Sequence, residues 1–442
     1  MKLNLLDLRR QLGAGELDTR VLIEDCLARI EAVNPAFNAF IRIEADGARA
    51  AAAASAARYR DGKARALEGL PIAIKDNIDL AGSPTTAGML TRRDRQAATD
   101  AGVVRRLKAA GAVIVGKLNM TEAALGADGS NPHFGHCHNP LKSGFSPGGS
   151  SSGSAAAVAA GLVPAALGTD TMGSVRIPAA YCGIWGLKPS FGLVSTAGSV
   201  AVSRHLDHIG PLATCAGDLE LLLESMAGFD PDCPVSRPVQ LLEREPGFTL
   251  GVPDLSGVDL EPAVAQAWRT TLERLKSKGV EMRSLAALPV SAGRIRRAGL
   301  LLCEAEMLAE HGGDWDSNRS AFSPQLQALL EWAGRQSAPK LAEAMRCIDK
   351  ARLAVNQWLA ACDFVLLPTT PQRAFAFAEP VPVNQADLTC LANCAGLPAV
   401  SLPLAHEPDQ LPSGLQLIGA YASDRAVIRS AARLHDLLTG DS

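Results

Sequence analysis

The sequence has no excess of charge of either sign. Its 442 residues carry 43 Lys and Arg against 46 Asp and Glu, a formal net charge of −3. That balance gives no basic surface for nucleic acid, and no Lys/Arg block marks a membrane surface. A membrane-spanning run is also missing: the apolar stretch 154–167 is too short, rich in Ala and Gly, and interrupted by Pro164. The first twenty residues read as the start of an amphipathic helix. They carry Asp7, Arg9 and Arg10 where a secretory signal needs an unbroken apolar core. The ten cysteines include no CxxC pair. The expectation is a cytoplasmic protein with reduced, mostly buried thiols, Cys390 and Cys394 among them.

What is present is enough apolar material for a large core, 47% hydrophobic residues against 20% charged. Residues 1–66 read as helices, with Leu5, Leu8 and Leu12 at helical spacing and Thr19 as the cap of a second helix. From 67 onward the pattern turns α/β. Strands are expected at 70–74, 112–115, 165–167, 247–253, 364–367, 399–402 and 415–418, with helices at 101–110, at 152–160 and from Asp424. Residues 255–360 are mainly helical, with Pro262 at a helix start and Gly279 past its end, and read as a cap or insertion. Strands from both ends of the chain suggest one α/β/α domain over 1–442 with a mixed sheet.

Two serines in glycine-flanked turns, Ser150 in SPGGSSSGS and Ser174 in GTDTMGSVR, lie 24 residues apart. A lysine, Lys75, closes the apolar run LPIAI. A serine hydroxyl is a weak nucleophile until a base takes its proton, and lysine is a base only when neutral, a state that burial favours. The bland alternative is an exposed lysine paired with Asp76 or Asp79. The small-residue helix after Ser151 directs amide N–H groups into the Ser150 turn. Backbone N–H groups around Thr169–Ser174 could hold an oxyanion, and Asp170 and Arg176 bracket Ser174 as a rigidifying pair. Gly153-Ser154-Ala155 stands where a phosphate loop needs Gly-Lys-Ser/Thr, which argues against nucleotide binding. Ser151 formally centres a G-x-S-x-G, but no strand precedes it. The cluster His133, His136, Cys137 and His138 matches no zinc spacing and reads as loop residues near the site mouth.

These segments resemble the amidase signature family of serine hydrolases. So do 85–88 (TTAG), 111–124, 130–140, 366–371, 395–403 and 414–419, which leaves only about 255–360 unmatched. The resemblance implies an acyl-transfer triad with Ser174 as nucleophile, Ser150, after a cis peptide, as proton relay and Lys75 as ultimate base. It also implies an oxyanion hole from the amides of Thr171, Met172, Gly173 and Ser174, no cofactor or metal, a small-molecule amide substrate and a homodimer. Met172 replaces a glycine usual in the family, which would cost about 1–2 kcal/mol if that position needed positive φ. Substrate-pocket candidates are Leu125, Gly126, Ala127 and Asp128. Arg294, Arg296, Arg297, Glu304 and Glu306 are charged candidates expected on solvated surface. The runner-up readings are an amidotransferase-type glutaminase subunit working with a partner protein and a catalytically silent binding homologue.

Overall fold

Eleven strands among the described residues hydrogen-bond into one sheet: β1 Phe40–Ile43, β2 Pro71–Lys75, β3 Val113–Leu118, β4 Ala165–Asp170, β5 Trp185–Lys188, β6 His208–Ala213, β7 Leu250–Pro253, β8 Met282–Leu285, β9 Phe364–Pro368, β10 Ala399–Pro403 and β11 Gly414–Ile418. The structure, a computed structural model, describes residues 4–243, 247–405 and 410–440; the first three residues of the expected N-terminal helix lie outside it. The spatial order is β1-β3-β2-β4-β6-β5-β10-β11-β9-β7-β8. β2 runs parallel to β3 and β4, and β7 parallel to β8 and β9. The other pairs are antiparallel, so the sheet is mixed as expected.

Alternation along the strands splits the apolar residues between two faces. Ile72, Ile74, Ile114 and Leu167 join one core with Leu107, Leu222 and Leu434, from helices Gly102–Ala109, Ala216–Met226 and Asp424–Thr439. Ala73, Val113, Val115 and Ala166 face a second core with Ile23, Ala48 and Ala156, from helices Thr19–Phe37, Ala45–Arg60 and Ser152–Ala159. Val365, Leu367 and Ala399 face a third with Ile295, Leu330 and Val355, from helices Ala292–Glu310, Pro324–Gly334 and Ala338–Leu359. Among the described residues no helix is long and apolar enough to cross a membrane.

The structure departs from the sequence reading in several places. Strands β1, β5, β6 and β8 were not read from the sequence, because an arginine interrupts β1 and β8 and a glycine interrupts β5 and β6. The expected strand before Gly116 runs through it to Leu118. Gly116 is there because a Cβ would sit 2.4 Å from the Arg42 carbonyl of β1. Asp18, not Thr19, caps the second helix, accepting from Arg20 N, while Thr19 Oγ1 donates to Ala52 O at 2.8 Å. The 255–360 stretch supplies β8 to the sheet edge and Trp268 and Leu275 to the first core.

Gly116→Val is expected to force β1 off the sheet edge and to destabilise the fold by about 1–3 kcal/mol, measured by urea unfolding. A change within about 0.5 kcal/mol, typical of surface substitutions, would mean that β1 does not pack on β3 as described.

Candidate active site

The C-terminal ends of β2 and β4 and the loops that follow them meet at one place. Lys75 ends β2 and is fully buried. Its Nζ hydrogen-bonds Ser150 Oγ at 2.7 Å and Thr169 Oγ1 at 2.7 Å. Neither Asp76 nor Asp79 pairs with it. Asp76 instead holds Lys117 at 3.1 Å and takes the hydroxyl and the N–H of Thr86, the latter at 3.0 Å. Burial pulls the Lys75 ammonium down to about 7, against the opposing pull of Asp207 and Asp170. Lysine at this position is therefore largely able to be neutral near physiological pH.

Serines and glycines hold the Ser150 loop in place. The Gly149–Ser150 peptide is cis. A Cβ on Gly149 would meet Thr121 Oγ1 at 2.8 Å, and one on Gly153 would meet the Ala39 carbonyl at 2.3 Å. Ser151 is fully buried, with Oγ donating to Thr169 O at 3.1 Å and accepting from Thr169 N at 3.2 Å. That engagement rules it out as an exposed elbow nucleophile. Its N–H donates to Ser174 O at 3.2 Å, tying the two serine turns together.

Asp170 and Arg176 form the expected pair, fully buried, with Arg176 Nη2 on Asp170 Oδ1 at 2.9 Å and Nε on Oδ2 at 3.0 Å. The remaining donors of Arg176 go to Thr389 O at 2.9 Å, Gln416 Oε1 at 2.8 Å and Asn393 Oδ1 at 2.6 Å. All five guanidinium N–H groups are thereby used. Burial alone would raise the Asp170 carboxyl, but Arg176 and the amide of Asn393 hold it below the ordinary carboxylate range. Asp170 Oδ1 also accepts the Gly173 N–H at 2.8 Å, and Oδ2 the Val175 N–H at 3.2 Å.

The bond from Gly173 corrects the expected oxyanion set. Gly173 spends its N–H on Asp170 and has none for the pocket. The N–H groups of Thr171, Met172 and Ser174 have no hydrogen-bond acceptor among the described residues, and all three residues line the same cavity. Met172 does not adopt positive φ, so the strain considered for it is absent; Gly173 carries the positive φ instead, at +131°. Asp207, which carried no motif signal, fixes Thr171 by accepting its Oγ1 at 2.5 Å and takes the N–H groups of Val202 and Ser203. Burial lifts the Asp207 carboxyl to about 6.

The cavity has a volume of about 340 Å³. Half-buried Ser174 opens onto it, and the pocket candidates Leu125, Gly126 and Ala127 line it. Asp128 does not; its carboxylate turns back to Ser130 N at 3.3 Å and Oγ at 2.6 Å, beside a smaller neighbouring cavity. Two charges expected on solvated surface line the main cavity: Arg296, paired with Asp387 at 2.7 Å, and Glu304, fully buried and paired with Arg297 at 2.9 Å. Sequence reasoning missed the far wall, residues 381–386, because it is remote from Ser174 in the chain and has no motif. None of His133, His136 or His138 lines the cavity; His133 pairs with Glu122 at 2.9 Å and His136 Nδ1 accepts from Asn131 N at 3.1 Å.

Comparison with known proteins matches the same architecture. The family model described as amidase covers residues 21–428. A glutamyl-tRNA(Gln) amidotransferase subunit from Anaeromyxobacter sp. (strain K) is 38% identical over 96% of this chain and 95% of its own. Among solved structures, a protein from a vestigial complex bearing on the origins of an s-triazine catabolic enzyme has a TM-score of 0.90 at 33% identity, covering 98% of each chain. The corresponding glutamyl-tRNA(Gln) amidotransferase subunit from Thermotoga maritima has a TM-score of 0.82 at 30% identity, over 98% of this chain and 94% of its own. A buried lysine on one serine, a second serine at a cavity lined by free amides, and a family match over nearly the whole chain lead to one conclusion: this protein belongs to the amidase signature family of hydrolases acting on carbon–nitrogen bonds.

Proposed function

We propose that this chain is a free-standing amidase that cleaves apolar amides to a carboxylate plus ammonia or an amine through an acyl-enzyme on Ser174. The observation that carries the reading is Lys75 Nζ at 2.7 Å from Ser150 Oγ, in a site whose burial brings the lysine to about 7. Ser174 Oγ attacks the amide carbonyl and passes its proton to Ser150, whose own proton goes to neutral Lys75. The carbonyl oxygen becomes an oxyanion held by the amides of Thr171, Met172 and Ser174. Protonated Lys75 then returns the proton through Ser150 to the leaving nitrogen, and the C–N bond breaks. Water repeats the sequence on the acyl-enzyme, releasing the acid and restoring the Ser174 hydroxyl.

The cavity supports the apolar substrate. Leu125, Ile177, Val202 and Leu300 line it, and Val381 and Val383 give it an exposed apolar rim. Its two charges, Arg296 and Glu304, are each ion-paired within the protein, Arg296 through Nε to Asp387 and Glu304 through both oxygens to Arg297, so no unpaired charge marks the cavity for a zwitterion such as glutamine. The similarity to amidotransferase subunits favours a second reading, a glutaminase subunit that works with partner proteins.

Ser174→Ala is expected to lower turnover of an amide by about 10⁴–10⁶-fold, followed as ammonia or amine release; substantial residual rate would remove Ser174 from the mechanism. The kcat/KM of the unaltered enzyme should climb about tenfold per pH unit on the acid side and level off above about 7, because neutral Lys75 is the active form and its pKa is lowered from the usual lysine value. A rate flat between pH 6 and 9 would contradict this. Across a series of alkyl amides, each added methylene should raise kcat/KM by about fourfold until the cavity fills, while glutamine stays poor. Glutamine preferred over every apolar amide would instead identify the glutaminase subunit.

A further inference from the structure

The side chain of Met172, a residue that lines the cavity beside Ser174, ends against a glycine of the helix Ala292–Glu310. A Cβ placed on Gly299 would come 2.9 Å from Met172 Cε and 3.2 Å from its Sδ. Gly299 lies inside the helix Ala292–Glu310, where glycine costs about 1 kcal/mol relative to alanine and has no turn to make. Its φ is ordinary for a helix, so conformational freedom does not explain it. Space for the methionine does.

The same helix face carries Arg296, Leu300, Cys303 and Glu304, at three- and four-residue spacing, and all four line the cavity. Met172 lines it too and is nearly buried, at 7% exposure. Its backbone cannot retreat. Thr389 Oγ1 donates to its carbonyl at 2.7 Å, and the next residue, Gly173, is held by Asp170. The methionine therefore bridges the amide-lined turn and the helix opposite, and closes the part of the cavity that a glycine would leave open.

We propose that Met172 and Gly299 act as a matched pair that sets the length of the apolar group accepted beside Ser174. The inference rests on Ser174 being the nucleophile. Met172→Ala removes three heavy atoms of wall and admits a longer group. Gly299→Ala pushes the flexible end of Met172 into the cavity and shortens what fits. In the double variant the added methyl meets no methionine, and long groups fit again.

The test uses the full chain and a set of alkyl fluorophosphonates of increasing chain length, which label a nucleophilic serine covalently. The readout is the ratio of labelling rates for long and short chains, checked against the same ratio for alkyl amides. Met172→Ala should raise the long-to-short ratio by about tenfold, as two methylenes at the usual transfer gain would. Gly299→Ala should lower it by a similar factor, and the double variant should recover it. Gly299→Ala also improves helix propensity, so an unchanged or higher melting temperature is expected and misfolding does not obscure the result. A ratio that stays constant while all rates fall together would make Met172 a scaffold or amide donor only and would overturn the pairing. Failure of every probe to label Ser174 would overturn the nucleophile assignment itself, and the pairing with it.

Discussion

The buried pair of Asp170 and Arg176 is the constraint on which the rest of the site depends. Two charges taken out of water cost several kcal/mol each, and only complete hydrogen bonding offsets that. Here every guanidinium donor is used, on β4, on the helix Cys390–Ala395 with the residue before it, and on β11. Asp170 in turn holds Gly173 and Val175 on either side of Ser174. The turn that presents the serine is thus fastened to strands on both sides of the sheet's middle. One consequence is that Gly173 is withdrawn from the cavity, and the amides of Thr171, Met172 and Ser174 remain for it.

A second desolvated charge works in the opposite sense. Among the described residues Lys75 has no carboxylate partner within hydrogen-bond reach, and its partners are two hydroxyls. Lys117, equally buried, has Asp76 at 3.1 Å. Burial lowers both lysines from the usual value, but the adjoining Asp76 carboxylate opposes the shift directly at Lys117, whereas Lys75 has only hydroxyls in hydrogen-bond contact. Asp170 and Asp207 lie near enough to temper the shift in Lys75 without abolishing it. Fold and chemistry are coupled here, because the strand that buries Lys75 is the parallel partner of the strand that carries Thr169 and Asp170.

Much of the site was legible in the order of residues, since its parts come from short segments with unusual composition. A lysine after PIAI, three serines among glycines, and an aspartate and arginine bracketing a Gly-Ser step each had an ordinary structural reading alone, and pointed to a site only in combination. Strands β2, β4, β9, β10 and β11 were legible as apolar runs. Strands β1, β5, β6 and β8 were not, since an arginine or a glycine interrupts each run. Asp128 and Glu304 show the limit from two sides. Residues beside a motif are the natural pocket wall by spacing alone, and charges on a helix are the natural surface. Asp128 instead turned back to Ser130, whereas Glu304 was drawn into the cavity wall by Arg297.

By itself the sequence determined the family and the mixed α/β class and singled out a lysine and two serines as candidates, because those depend on local composition and spacing. It also supplied Met172 as an anomaly. Only the tertiary structure decided what that anomaly meets, because Gly299 lies far along the chain on a helix whose register against the Ser174 turn no local pattern encodes. The same holds for which amides stay free and which charges face the cavity. Those outcomes follow from packing, where one carboxylate's choice of partner removes a donor and one missing Cβ makes room for a side chain.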